Sequence, residues 1–279
     1  MGICGTMSLQ QLLAQPRADS LAEAALWLAA DIYPDIDTQH YLRRLQFYAE
    51  AVSERLPTRV PLGEVLFHLN DYLFNDRGFS ADCSGRCSPE STFIHSVIDN
   101  RRGSPLGITL IYLTVGRWMG LPLVALSFPG RILVRYRDAD GEVVLDPADG
   151  GMPLQEADLA MLLSGTYSLH RRPRYRLGRF LSTTDDKMLL VRMLRQLKQS
   201  YLQRGDAQSA LWALEKILLL MPGMASGFRD RGYLYELLDC SMAAAEDYTR
   251  YLELMPDASD ADVLRKRLPR LLEHNVTFH

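Results

Sequence analysis

Residues 101–151 read RRGSPLGITLIYLTVGRWMGLPLVALSFPGRILVRYRDADGEVVLDPADGG, and the order of signals in this stretch decides the fold. Gly103-Ser104-Pro105 opens a helix, with proline in the first turn, where its missing N–H costs nothing. Leu106, Thr109, Leu110, Leu113, Trp118 and Met119 then give an apolar pattern too continuous for a surface helix, which predicts a buried one. Gly120-Leu121-Pro122 ends it, because glycine suits the C-terminal cap and proline cannot continue a helix. Three short runs rich in β-formers follow, at 123–128, 132–136 and 143–145. The last two flank Asp138-Ala139-Asp140-Gly141, a turn sequence that predicts an antiparallel hairpin.

A buried helix followed by strands resembles the core of the transglutaminase-like, papain-like superfamily. More narrowly, the stretch resembles a bacterial branch in which that core is fused to C-terminal tetratricopeptide repeats. The residues that carry the resemblance are Arg101, Gly103 and Pro105, then Gly120-Leu121-Pro122. Phe128-Pro129-Gly130-Arg131-Ile132-Leu133-Val134-Arg135 and Asp146-Pro147-Ala148-Asp149-Gly150-Gly151 complete them. The resemblance implies an α+β, mostly helical fold: a transglutaminase-like core with a small antiparallel sheet, followed by an α-helical repeat domain. It also implies a triad, with Cys at the start of the buried helix, His on the next strand and Asp on the strand after.

The departures from that pattern bear on function. No Cys lies between Ser104 and Thr109, so Pro105, Leu106 and Thr109 occupy the helix start without a thiol. Arg131 stands where the branch has His, and a guanidinium cannot act as a general base near neutral pH. Asp146 is kept. A thiol needs a nearby base, and the Asp exists to orient that base. With two of three members missing, the expectation is a remnant site without chemistry.

Composition sets the frame. The 279 residues have room for one or two domains, and 47% hydrophobic with 23% charged content is ordinary for a globular chain. A net charge of −3 gives no reason to expect a nucleic acid or an anionic membrane as partner. Cys4, Cys83, Cys87 and Cys240 are few and unevenly placed, unlike a disulfide framework, which points to a reducing, cytoplasmic setting. No secretory signal and no spanning apolar run are evident, and no cofactor is expected. Residues 1–6 (MGICGT) fit the N-myristoylation pattern with Cys4 beside it. The resemblance is to bacterial proteins, which do not normally make that modification, so no lipid anchor is expected. Either Met1 or Met7 could be the native start.

Upstream of the core, three amphipathic helices are predicted, and they resemble the N-terminal helices of the same family. The first covers 20–31, with Ser20 as N-cap and Glu23 completing a capping box; the others cover 37–56 and 61–74. His68 on the third reads as a core histidine. Residues 75–89 read as loop and hold Cys83 and Cys87, with His95 downstream on a short helix over 90–98. The two cysteines are a candidate thiol pair, but their spacing and the absence of a second pair argue against a metal site. A helix around 154–163 closes the first domain.

The last third repeats itself. Tyr201, Ala210, Met221 and Pro222 recur as Tyr235, Ala244, Met255 and Pro256, each 34 residues later, which is the tetratricopeptide period. Predicted helices are 187–204, 207–220, 225–238 and 241–254. A capping helix follows over 259–274, with Ser259 as N-cap and Pro269 kinking or interrupting it. A basic run at His170-Arg171-Arg172-Pro173-Arg174-Tyr175-Arg176 marks the linker. The division is therefore a transglutaminase-like domain over 1–175 (helical part 20–75, core 88–165) and a repeat domain over 185–279. Two repeats cannot cover their own apolar faces, so they are expected to pack on the first domain, and their concave surface, marked by Tyr201 and Tyr235, is a candidate partner groove.

Three functions compete at this level. The favoured one is a non-catalytic interaction or regulatory protein with an unknown protein or peptide partner, in which Arg131 and Asp146 form an ion pair. A hydrolase or acyltransferase would need Ser104, Thr109 or a loop cysteine as nucleophile and His95 as base. A thiol redox or metal sensor would use Cys83 and Cys87.

Overall fold

The computed structural model describes residues 20–57, 61–82, 88–137, 141–167 and 181–273. The chain divides into two units, Met1–Leu190 and Val191–His279, with the division inside a helix.

The first unit is built on the predicted buried helix. α1 (Ser20–Ile32), α2 (Thr38–Ser53), α3 (Leu62–Asn70) and α4 (Ile94–Asn100) precede α5 (Pro105–Trp118). Ser104 caps α5 by accepting a 3.1 Å hydrogen bond from the Gly107 N–H, and every residue from Leu106 to Gly116 is buried. α5 packs against α1, α2 and α4 on one side and the sheet on the other. Being apolar all round, it has no face to give to solvent.

β1 (Ser80–Ala81) and β2 (Arg102–Gly103) make a short parallel pair beside the start of α5. The main sheet holds β3 (Leu123–Phe128), β4 (Arg131–Arg137), β5 (Glu142–Asp146), β6 (Met152–Leu154) and β7 (Ser182–Thr183), ordered β6-β5-β4-β3-β7 and antiparallel throughout. The predicted hairpin is β4–β5, in register Tyr136↔Val143. On one face Leu126, Phe128, Leu133 and Val144 pack with Leu159 and Leu163 of α6 (Glu156–Tyr167). Strand alternation puts Tyr136, Val143, Leu145 and Pro153 on the opposite face.

The first differences from the sequence reading lie upstream. The helix expected over 61–74 is α3 followed by a π-helical turn, Asp71–Asp76, in which Arg77 N–H reaches the Tyr72 carbonyl. That turn buries Tyr72 and Leu73 while Asn75 and Asp76 stay at the surface, bonded to Asp71 and Arg55. The short helix begins at Ile94 rather than 90, because Ser88 turns the preceding residues through bonds with Ser91 and Thr92. His68 is half-buried beside Phe67 rather than in the core.

The second unit holds two helix pairs and a last helix. α7 (Asp186–Gln203) pairs with α8 (Ala207–Leu220), and α9 (Ala225–Leu237) with α10 (Ser241–Leu254); α11 (Ala261–Glu273) follows. The period shows in the backbone: α8 and α10 end with Met221 and Met255 in the same conformation, each bonded to the fourth residue before it. Gly205 and Asp239, also 34 apart, both take positive φ, 75° and 57°. Arg231 grips the buried Asp247 with a two-pronged contact at 2.7 and 2.8 Å. α11 starts two residues later than Ser259 suggests, since Asp260 is held before the helix by Tyr251 and Arg229. Pro269 does not end α11, which runs on to Glu273, and it lies on an exposed side of the helix.

Gly151 has φ 71°, and a Cβ there would sit 2.2 Å from Asn70 Oδ1; at Gly205 the φ is similar but the space is open. Gly151→Ala should therefore cost more than Gly205→Ala, at least about 2 kcal/mol against about 1 kcal/mol. Urea titration of both variants checks the order.

Candidate functional site

Of the positions singled out in the sequence, the structure joins Arg131 and Asp146. β4 begins at Arg131 after the tight Pro129-Gly130 turn, and β5 ends at Asp146. The Arg131 guanidinium donates to Asp146 Oδ2, while Oδ1 accepts the Ala148 N–H at 3.0 Å and so caps the 3₁₀ turn Pro147–Asp149. The Asp146 side chain is 1% exposed and that of Arg131 36%, so the pair is a buried carboxylate under a half-open cation.

At the helix start both hydroxyls are out of solvent. Ser104 is fully buried and spent on its cap; Thr109 is buried and donates to the Pro105 carbonyl at 2.8 Å. The turn Pro147–Asp149 packs against α5, so Asp146 stays beside the helix.

His95 is engaged elsewhere. Its ring lies 4.9 Å from Tyr33, 5.8 Å from Tyr41 and 5.8 Å from Phe93, and its buried Nδ1 has no hydrogen-bond partner among the described residues. Burial holds the imidazole below its ordinary pKa, against the opposing pull of Asp99. Asp99 itself is held by Arg44 and by the Tyr41 hydroxyl, whose pKa is pushed up to about 12, chiefly by burial and then by that bond. His95 therefore bonds to neither Ser104 nor Thr109. Cys83 and Cys87 lie outside the described residues, as do Cys4, His170 and both candidate starts.

In the second unit Tyr201 is buried, and its carbonyl accepts from the Arg204 and Asp206 N–H groups at the turn between α7 and α8. Tyr235 is half-buried under Arg231. A 350 Å³ hollow instead lies among Lys198, Leu202, Arg229, Tyr233 and Arg267.

The sequence reading missed an 830 Å³ cleft in the first unit. Gly63, Leu66, Phe67, Asn70, Asp71 and Phe74 line one wall, and Tyr136, Val143, Leu145 and Pro153 the other. Asn70 closes its floor, donating to the Gly151 carbonyl at 2.9 Å and accepting from the Tyr112 hydroxyl at 2.9 Å. Tyr112 is buried, which raises its pKa above the usual phenol range. The available signal was the helical spacing of 63, 66, 67, 70, 71 and 74, which puts two aromatic rings and an amide on one face.

A helix, a hairpin and an Asp at the strand end, followed by paired helices at a period of 34, define a transglutaminase-like core with tetratricopeptide repeats. The transglutaminase-like superfamily profile matches residues 39–195, and a tetratricopeptide-repeat profile matches 197–269. The chain belongs to the transglutaminase-like superfamily and, within it, to the UPF0162 proteins. It is 31% identical over 259 residues to a UPF0162 protein of Xylella fastidiosa, covering 93% of this chain and 92% of that one. A UPF0162 protein of Pseudomonas aeruginosa is 31% identical, covering 90% and 91%, and Protein SirB1 of Salmonella typhimurium 24% identical, covering 88% and 90%. Among the described residues no helix is long and apolar enough to cross a membrane, and no three His, Cys, Asp or Glu side chains stand together as a metal site.

Because His95 has a lowered pKa when folded, the unfolded chain binds its proton more readily. His95 should therefore cost stability as pH falls below about 6.5, and nothing above it. Urea midpoints compared between pH 7 and pH 5 should drop further for the wild type than for His95→Phe.

Removing the Arg131 side chain leaves a buried carboxylate without its counter-ion. Arg131→Ala should destabilise by about 2 kcal/mol, below the range for fully buried pairs because Arg131 is half open to water. Arg131→Lys should recover part of that loss, as read by thermal or urea unfolding.

Proposed function

We propose that this chain is a non-catalytic interaction protein: a transglutaminase-like fold whose site holds an ion pair, joined to repeats that dock a protein or peptide. The observation that carries this reading is the Arg131–Asp146 contact. An Asp placed to orient an imidazole is bonded to a permanent cation, which can neither take a proton from a nucleophile nor return it to a leaving group. The two hydroxyls at the helix start support the same reading, since both are buried and neither has an imidazole as partner. Tetratricopeptide repeats point to a protein as partner. The reducing interior of a bacterial cell is the setting we infer, in line with the sparse cysteines.

The test is turnover by the purified full chain. With p-nitrophenyl acetate and a glutamine-donor amide plus a primary amine, the expected rate is that of buffer alone, unchanged by iodoacetamide. Turnover that iodoacetamide abolishes, and that Cys83→Ala or Cys87→Ala also removes, would sink the reading and place a loop cysteine in the chemistry.

A further inference from the structure

The last helix, α11, carries a stripe that packing within the second unit does not use. Val263 is followed three, four, seven and eight residues later by Lys266, Arg267, Arg270 and Leu271, so the five share one side of the helix. They line a 640 Å³ hollow together with Glu236 of α9 and Ser241 of α10. That volume falls within the range of about 300–1,000 Å³ found for ligand sites. The stripe is about 12 Å long at 1.5 Å per residue. Val263 is 63% exposed, an aliphatic side chain standing in water at its edge.

The charges here differ from those next to them. In the adjoining 350 Å³ hollow, which shares Arg267, every cation has a carboxylate. Lys198 pairs with Asp230 at 2.8 Å, Arg229 with Asp230 and Asp260 at 3.0 and 3.2 Å, and Arg267 with Glu236 at 2.7 Å. Lys266 and Arg270 are both exposed and have neither an ion pair nor a hydrogen bond among the described residues. Glu236, the one carboxylate among the described lining residues, is spent on Arg267 and the Tyr248 hydroxyl. The hollow therefore presents two unmatched positive charges, one helical turn apart, beside Val263 and Leu271.

We propose that this hollow docks an acidic segment of another protein, one that sets carboxylates on Lys266 and Arg270 and a large aliphatic side chain against Val263 and Leu271. Charge complementarity selects that occupant, since carboxylates supply the acceptors the two cations lack and the aliphatic side chain covers the exposed apolar surface. A basic helix with apolar residues also suits an anionic membrane, but only when its apolar face is free. In α11 that face is taken: Leu264 and Leu268 pack with Tyr248 and Tyr251. A concave site between helices is also closed to a flat bilayer surface. This occupant presupposes that the repeats dock a protein. Turnover tests that reading, and binding of a defined peptide tests the occupant, so the two fail separately.

Fluorescence anisotropy with the full chain is the measurement, using the labelled, end-blocked heptapeptide ALEDELA. Its counterparts are ALQNQLA, which has no charge, and ASEDESA, which has no large apolar side chain. ALEDELA should bind at least about tenfold more tightly than either. Lys266→Glu, and separately Val263→Ser, should weaken it by about tenfold or more at an unchanged melting temperature, because both side chains are exposed. Lys187→Glu, an equal change of charge at an exposed position of α7, should leave binding as it is. Equal binding of the three peptides, or no binding up to about 1 mM, would overturn the proposal. So would a Lys266→Glu variant that binds like the wild type, or a Lys187→Glu variant that loses as much. Displacement by adipate as effective as that by unlabelled ALEDELA would overturn it in favour of a small dicarboxylate. Sedimentation with phosphatidylglycerol vesicles that Lys266→Glu abolishes, without peptide binding, would overturn it in favour of a membrane.

Discussion

The side-chain amide of Asn70 is the constraint on which much of the first unit depends. It stands at the end of α3, donates to the Gly151 carbonyl after β5 and accepts from Tyr112 in the middle of α5. Three elements distant in sequence are thereby held at hydrogen-bond distance from one side chain. Each partner has a need that the amide meets. A buried phenol without an acceptor, or a buried carbonyl without a donor, costs about 1–3 kcal/mol. An apolar side chain at position 70 would leave both unmet. The same contact bears on Gly151, since a Cβ built on this backbone would collide with the amide.

How much of this was legible in the sequence depends on how local each signal is. The cap at Ser104, the proline after it, the apolar run and the Gly120 stop all lie within one segment, and α5 spans the residues they mark. The repeats were legible because a period of 34 reports each turn twice. The same periodicity explains Asp239, a non-glycine residue in the left-handed region, because it occupies the place Gly205 has one repeat earlier. The Asn70–Gly151 bond joins residues 81 apart and no local pattern announces it. The surroundings of His95 are hidden for a similar reason. Its character is set by rings from α2 and from the turn before it, which a reading of 90–98 alone does not include. The π-helical turn after α3 was hidden because the apolar pattern runs smoothly through it while the hydrogen bonds change.

The pairing of Arg131 with Asp146 was legible through the resemblance alone, and its physics shows what an exchange of His for Arg does to such a site. A carboxylate buried to 1% exposure needs a donor on each oxygen or a counter-ion. In the triad arrangement an imidazole supplies that donor and can also lose its proton, so the carboxylate both orients and stabilises a base. Arginine supplies the donor and a full charge without the ability to lose it. The Ala148 N–H satisfies the other oxygen, and the same bond caps the turn leading to Gly150 and Gly151. Asp146 is thus tied to the turn whose last carbonyl meets Asn70. The residue that orients a base in the superfamily pattern becomes an anchor between the strand end and the helix layer. Without Asp146 the Ala148 N–H and Arg131 would both lose their acceptor, and the turn leading to Gly151 would lose its cap.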